Sequence, residues 1–119
     1  MSEAIEFLMK HPETYLATVD NGAPWVRAMQ IARIDDEGSI WYATALSSSK
    51  VGQVRRNPRV CLAVWADGRQ CRVFGSAELI TDAAVKHQLW DDSWRTYFRA
   101  EEDPEYVLLK VVPERAELS

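Results

Sequence analysis

Metal-site and disulfide signals are scarce in this chain of 119 residues, which holds two cysteines and two histidines. Cys61 and Cys71 lack the CxxC spacing of a zinc or redox site. His11 and His87 are too few and too far apart for a metal cluster or a catalytic triad, and both are expected at the surface. No apolar run approaches the roughly 20 residues of a membrane span. No signal peptide precedes the first helix, so the cytoplasm is the expected location. A basic surplus is missing as well: the formal net charge is −4, which argues against general nucleic-acid binding. Internal repeats, linkers and low-complexity segments are absent.

What is present reads as globular, with 47% apolar and 27% charged residues, and the length suits one domain spanning residues 1–119. Ala4, Ile5, Leu8 and Met9 recur at helical spacing, predicting a short amphipathic helix over 2–10 that ends before Pro12. Strands are expected over 15–20, 24–34, 39–44, 59–66, 69–80 and 106–112. Asn21-Gly22, Asp35-Asp36-Glu37-Gly38 and Asp67-Gly68 are the turns between them. A helix near 49–56 must stop at Asn57-Pro58. Asp82 is a good N-cap for a helix bearing Val85, Leu89 and Trp90, bent near Ser93 before Trp94 and Phe98. Six strands joined mainly by hairpins predict a small antiparallel barrel or sandwich, with any ligand on its rim or at an interface.

Two hairpins fix which side chains share a face. Across Asp67-Gly68, a two-residue turn sets Cys61 opposite Phe74 and Cys71 opposite Val64, so the cysteines point to opposite faces and remain free thiols. Across Asn21-Gly22, Leu16 and Thr18 share a face with Trp25, Arg27 and Met29. A guanidinium among apolar neighbours calls for a carboxylate or phosphate.

The segment richest in chemistry is Ile40 to Lys50, a strand running into a hydroxyl-rich turn. Thr44, Ser47, Ser48, Ser49 and Lys50 fall just where a helix begins. A helix start offers unpaired N–H groups and a partial positive charge. With hydroxyl donors and an ammonium added, the simplest ligand is a phosphate monoester. The competing explanation is an ordinary serine-rich turn that caps a helix. Five Trp exceed what a monomer core of this size hides easily, which favours a homodimer with aromatic contacts.

In order and spacing, "YLATVDNGAPWVRAMQI", "GSIWYATALSSSK", "QVRRNPRVCLAV", "VFGSAELITD" and "DPEYVLLKVVPERAEL" resemble the pyridoxamine 5′-phosphate oxidase-like, FMN-binding split-barrel family, in particular its small general-stress-protein branch. The resemblance implies a mainly β fold with short helices, a six-stranded antiparallel split β-barrel. It also implies a homodimer holding FMN at the subunit interface. The family's Arg-x-Met strand motif falls on Arg27, Ala28, Met29 and Gln30, its aromatic-x-Thr pair on Tyr42 and Thr44, and its Ser-Arg-Lys phosphate motif on Ser48, Ser49 and Lys50. Ser49 stands where the family often has Arg, which removes one fixed charge and predicts weaker FMN retention; Arg55 or Arg56 are possible substitutes. True pyridoxamine phosphate oxidases carry a basic C-terminal segment, and Pro113 to Ser119 do not supply one, so vitamin B6 oxidation is not the expected reaction.

The leading expectation is a flavin-dependent oxidoreductase, in which the flavin does the redox chemistry and no acid–base dyad is required. A small-molecule substrate or electron donor would stack on the ring, with Trp90, Trp94, Arg95 or Tyr97 as walls, although core packing is the competing role for these aromatics. The alternative is a non-catalytic flavin-binding redox sensor, electron carrier or flavin store. A deazaflavin or haem on the same barrel is a variant of the first, and a base-stacking nucleic-acid barrel using Trp25, Trp41 and Trp65 is disfavoured by the acidic balance.

Overall fold

The computed structural model describes residues 2–119. Helix α1 (Ser2–Lys10) buries Ala4, Phe7 and Leu8, so its apolar stripe is rotated from the expected one and Met9 faces outward. Strands β1 (Glu13–Asp20) and β2 (Ala23–Gln30) meet at Asn21-Gly22, where φ is +52° and +78°. Two successive left-handed residues make the turn whose twist matches the strands, and Leu16 lies opposite Arg27 as the turn requires.

The expected strand over 24–34 is two strands, and the sheet has seven strands rather than six. β3 (Arg33–Ile34) pairs with β4 (Ile40–Ala45), on the far side of the sheet from β2. The order β2-β1-β5-β6-β7-β4-β3 therefore puts β2 and β3 on opposite edges although only Ile31 and Ala32 separate them in the chain. Ile31 N–H donates to Pro12 O, and Ala32 N–H donates to Trp41 O. The chain itself crosses from one edge to the other, so the sheet curls into a barrel that stays split along β2 and β4. All pairings are antiparallel.

β5 (Arg59–Ala66) and β6 (Arg69–Ile80) form the second hairpin, with Cys61 opposite Phe74 and Val64 opposite Cys71. Both cysteines are free. β7 (Tyr106–Leu118) continues well beyond its expected end at Val112. Pro113 lacks a donor and reads as a stop, but a bulge absorbs it: Gly75 faces Pro113 while Phe74 faces Arg115, leaving Glu114 over.

One core fills the barrel around Leu8, Leu16, Ile40, Tyr42, Leu62, Val73 and Leu109. A second lies on the opposite face of β4 and β7, where Trp41, Phe98, Tyr106 and Leu108 are buried. Helix α3 (Ala83–Leu89) and a 3-10 turn (Asp92–Thr96) cover it, with Trp90 packed edge-on against both Trp94 and Tyr106. Asp82 caps α3 through Ala84 N and Val85 N, as expected. Three of the five Trp are thus consumed within the chain, while Trp25 and Trp65 stay exposed. No helix among the described residues is long and apolar enough to cross a membrane.

Candidate functional site

A polar corner forms where β4 runs into α2 (Ser49–Arg56) beside β1 and β2. Arg27 projects from β2, Thr44 lies one residue before the end of β4, and Ser48 and Lys50 sit at the N-cap and in the first turn of α2. Lys50 Nζ donates to Thr44 Oγ1 at 2.8 Å, and the Thr44 and Ser48 hydroxyls are 3.5 Å apart. Ser48 takes the N-cap position without using its side chain to cap, and no acidic residue occupies the first turn of α2. The hydroxyl and the helix start therefore both remain available to an anion.

Arg27 is anchored by three oxygens. Its Nη1 donates to Thr18 Oγ1 at 2.9 Å and to Leu16 O at 3.3 Å, and its Nη2 donates to Gln53 Oε1 at 2.7 Å. Thr18 in turn donates to Gln53 Oε1 at 2.6 Å. All of these acceptors are neutral. Burial, and then the Arg27 charge, hold the Lys50 ammonium below the usual lysine range. Burial likewise lowers Arg27. The corner thus keeps two uncompensated cations within each other's field.

Beside it opens a cleft of about 1020 Å³, lined in part by Ala28, Met29, Gln30, Ala43, Thr44 and Ala45. That is at the top of the roughly 300–1,000 Å³ range of small-molecule pockets. The cleft is the split itself. Because Ile31 bonds toward β1, strand alternation sends the backbone groups of Ala28 and Gln30 to the open edge of β2. Because Leu46 N–H bonds to Glu105 O, the same alternation sends those of Ala43 and Ala45 away from β7 and into the gap. The backbone groups of Ala28, Gln30 and Ala43, with the Ala45 N–H, therefore face the cleft unpaired, while Ala45 O accepts from Ser48 N–H at 3.0 Å. Thr44 belongs to both cleft and corner. Trp94, Tyr97 and Phe98 form the opposite wall, with Asp91 at the rim. Hydrogen bonds from the Ser93 side chain and backbone hold the Asp91 carboxyl below its ordinary value.

Arg27, Thr44, Ser48 and Lys50 thus meet at one corner, and Ala28, Met29 and Gln30 line the adjoining cleft. Other expected residues fall elsewhere. Tyr42 is fully buried with its hydroxyl 2.8 Å from Thr14 Oγ1, so its side chain points into the barrel core and supports β1. Ser49 is exposed. Ser47 is drawn away by Glu105, whose carboxylate accepts from its hydroxyl at 2.7 Å. Arg56 is no substitute cation, because Asp20 holds it through two contacts of 2.8 and 3.1 Å. Of the expected walls, Trp94 and Tyr97 line the cleft and Trp90 and Arg95 do not. Trp90 is committed to the aromatic core, and Arg95 turns to Asp92 and to Arg99 O. Thr18 lies on the face it was expected to share with Arg27, and Gln53 was not anticipated. Gln53 follows Lys50 by three residues on one helix, so the two share a face, and that spacing was the available signal.

Comparison with known proteins agrees with this architecture. A family-wide sequence profile described as pyridoxamine 5′-phosphate oxidase matches residues 1–119. The chain belongs to the pyridoxamine 5′-phosphate oxidase family. General stress protein 26 of Bacillus subtilis (strain 168) is 26% identical over 117 residues, covering 94% of this chain and 82% of its own length. A pyridoxine/pyridoxamine 5′-phosphate oxidase of Escherichia fergusonii is 37% identical over 89 residues, covering 71% of this chain and 40% of its own length. The crystal structure of general stress protein 26 from Bacillus anthracis str. Sterne matches with a TM-score of 0.83 at 27% identity, covering 98% of this chain and 91% of that one. This family member therefore spans most of the stress protein but less than half of the oxidase.

Proposed function

We propose that the protein is an FMN-binding flavoprotein, an oxidoreductase acting on a small molecule, with FMN held at a homodimer interface. The observation that supports this most directly is the pair Arg27 and Lys50, two cations bonded only to neutral oxygens at the mouth of a cleft sized for a ring system. A phosphate monoester carries close to two negative charges at neutral pH and fits that pair. Arg27, Lys50, Thr44 and Ser48 would hold the phosphate; Ser49, exposed on the first turn of α2, adds a hydroxyl but no charge. The unpaired backbone groups of Ala28, Gln30 and Ala43 and the Ala45 N–H would meet the polar edge of the ring, with Met29 packed beneath. The flavin supplies the hydride or electron chemistry once bound. The chain's own part is to orient it, exclude water along β2 and β4, and keep charge at the corner.

The dimer reading rests on the outer face of the sheet. Tyr15 and Val26 lie there with Trp65, and Trp65 is 72% and Tyr15 60% exposed. Such a contiguous apolar face is what an interface covers.

Titrating purified protein with FMN and with riboflavin tests the proposal. Tight FMN binding with much weaker riboflavin binding is expected, and equal affinities would remove the phosphate from the corner. A second reading, flavin binding without turnover, is favoured by one observation: Asp91 and Tyr97 are the titratable groups lining the cleft among the described residues. Reduced flavin that no added oxidant or reductant turns over faster than free flavin would select it.

A further inference from the structure

We propose that Gln53 is a positioning residue that fixes Arg27 while leaving its full charge on the corner, and that this makes the corner select a phosphate monoester over the same ligand without its phosphate. The inference rests on the reading of the corner as a flavin phosphate site. Gln53 is 2% exposed and Thr18 1% exposed, so their polar groups are out of water and must be matched within the chain. The Gln53 amide oxygen and the Thr18 hydroxyl are matched to each other and to the guanidinium: Gln53 Oε1 accepts from Thr18 at 2.6 Å and from Arg27 at 2.7 Å, and Thr18 Oγ1 accepts from Arg27 at 2.9 Å.

Several other arginines are held by carboxylates instead. Arg56 is held by Asp20 and Arg99 by Asp103, each pair cancelling its own charge, and Arg72 shares Glu117 with Arg115. A glutamate at position 53 would have the same shape and would bind Arg27 more strongly, since a charge-assisted bond exceeds a neutral one. It would also neutralise the guanidinium. An apolar residue there would keep the charge but leave Thr18 and Arg27 with unmatched groups. The amide meets both demands: it orients the fork of Arg27 and leaves two positive charges in the corner. The like-charge opposition of Arg27 and Lys50 is the cost of that choice, and a ligand dianion relieves it.

The experiment compares the whole chain with Q53E, Q53M and T18V, titrating each with FMN and riboflavin by flavin fluorescence and following folding by circular dichroism. Q53E should melt at or above the wild-type temperature and lose about 10- to 100-fold in FMN affinity, with riboflavin affinity unchanged. Q53M and T18V, which loosen Arg27 without cancelling it, should lose FMN affinity by a smaller factor. The ratio of FMN to riboflavin affinity is the readout, because a merely structural defect lowers both together. A folded Q53E that keeps the wild-type ratio overturns the inference, and so does a T18V that keeps it if Q53E does not fold. If the wild type shows no preference for FMN, the phosphate reading itself fails and the role of Gln53 falls with it.

Discussion

Lys50 Nζ donates to Thr44 Oγ1 at 2.8 Å, in a corner whose other cation, Arg27, lowers its proton affinity further. Lys50→Ala should therefore weaken FMN binding by about 1.5–3 kcal/mol, the worth of one charge-assisted contact, and leave riboflavin binding as it was. Paired fluorescence titrations read both. Loss of affinity for neither ligand would place the phosphate elsewhere.

The same residue gives a pH dependence. The folded proton affinity of Lys50 lies below its unfolded value, through burial first and Arg27 second. Between those two values the unfolded chain binds more protons, so this residue makes ligand-free protein gain stability as pH rises into the alkaline range. Lys50→Met should melt higher than wild type near neutrality, with the advantage vanishing by about pH 10 to 11. Inorganic phosphate should shrink the difference by giving the ammonium a partner. Melting curves across that range, with and without phosphate, decide the point.

Tyr42 contributes with the opposite sign. Burial pushes its phenol well above the usual tyrosine range, with the Thr14 hydrogen bond a smaller opposing effect. Its share of stability is fully present below about pH 10, where an unfolded tyrosine begins to ionise, and is lost as pH climbs beyond that. Tyr42→Phe should cost about 1 kcal/mol at neutral pH, since Thr14 keeps its bond to Met29 O, and should flatten the alkaline decline. A decline unchanged by the substitution would assign it to other groups.

Much of this arrangement was legible in the residues, for a physical reason. Asn21-Gly22 and Asp67-Gly68 dictate positive φ, and a two-residue turn fixes register along the whole hairpin, so Leu16 opposite Arg27 and Cys61 opposite Phe74 followed. Ser49 to Arg56 was bounded by a hydroxyl run and by Asn57-Pro58. What local pattern did not carry is long-range. The switch of edges at Ile31 and Ala32 depends on Trp41 being there to accept a bond. Gln53 looks like a solvated helix position until Thr18 and Arg27 close over it. Trp90 and Trp94 have the same composition and spacing as any aromatic stripe, and the turn at Asp92–Thr96 decides which of them meets the cleft.

Gly75 tests the bulge that lets β7 run past Pro113. A Cβ there would stand 2.3 Å from Val112 O and 3.1 Å from Pro113 Cα, and backbone atoms cannot step aside as side chains do. Gly75→Ala should destabilise by about 2–3 kcal/mol, by overpacking at a buried position. A lower denaturation midpoint at unchanged slope is the expected signature. An unaffected midpoint would mean the two strands separate here more freely than their pairing indicates.

The outer face yields the last prediction. Trp65 is the more exposed of the two tryptophans left in solvent, and it shares its side of the sheet with Tyr15 and Val26. If a second copy covers that face, a charge placed on it must be buried unpaired, and losing a tryptophan anchor costs about 2 kcal/mol or more on top. Trp65→Glu should turn a sedimenting dimer into a monomer while the far-ultraviolet circular dichroism spectrum holds, because Trp65 packs in neither core cluster. FMN affinity should fall with it if the flavin lies at the joint between copies as proposed, whereas Lys50→Ala should weaken FMN binding and leave the dimer intact. The two variants therefore separate assembly from anion recognition. A Trp65→Glu protein that stays dimeric would move the interface to another face, and a wild type that sediments as a monomer would remove it.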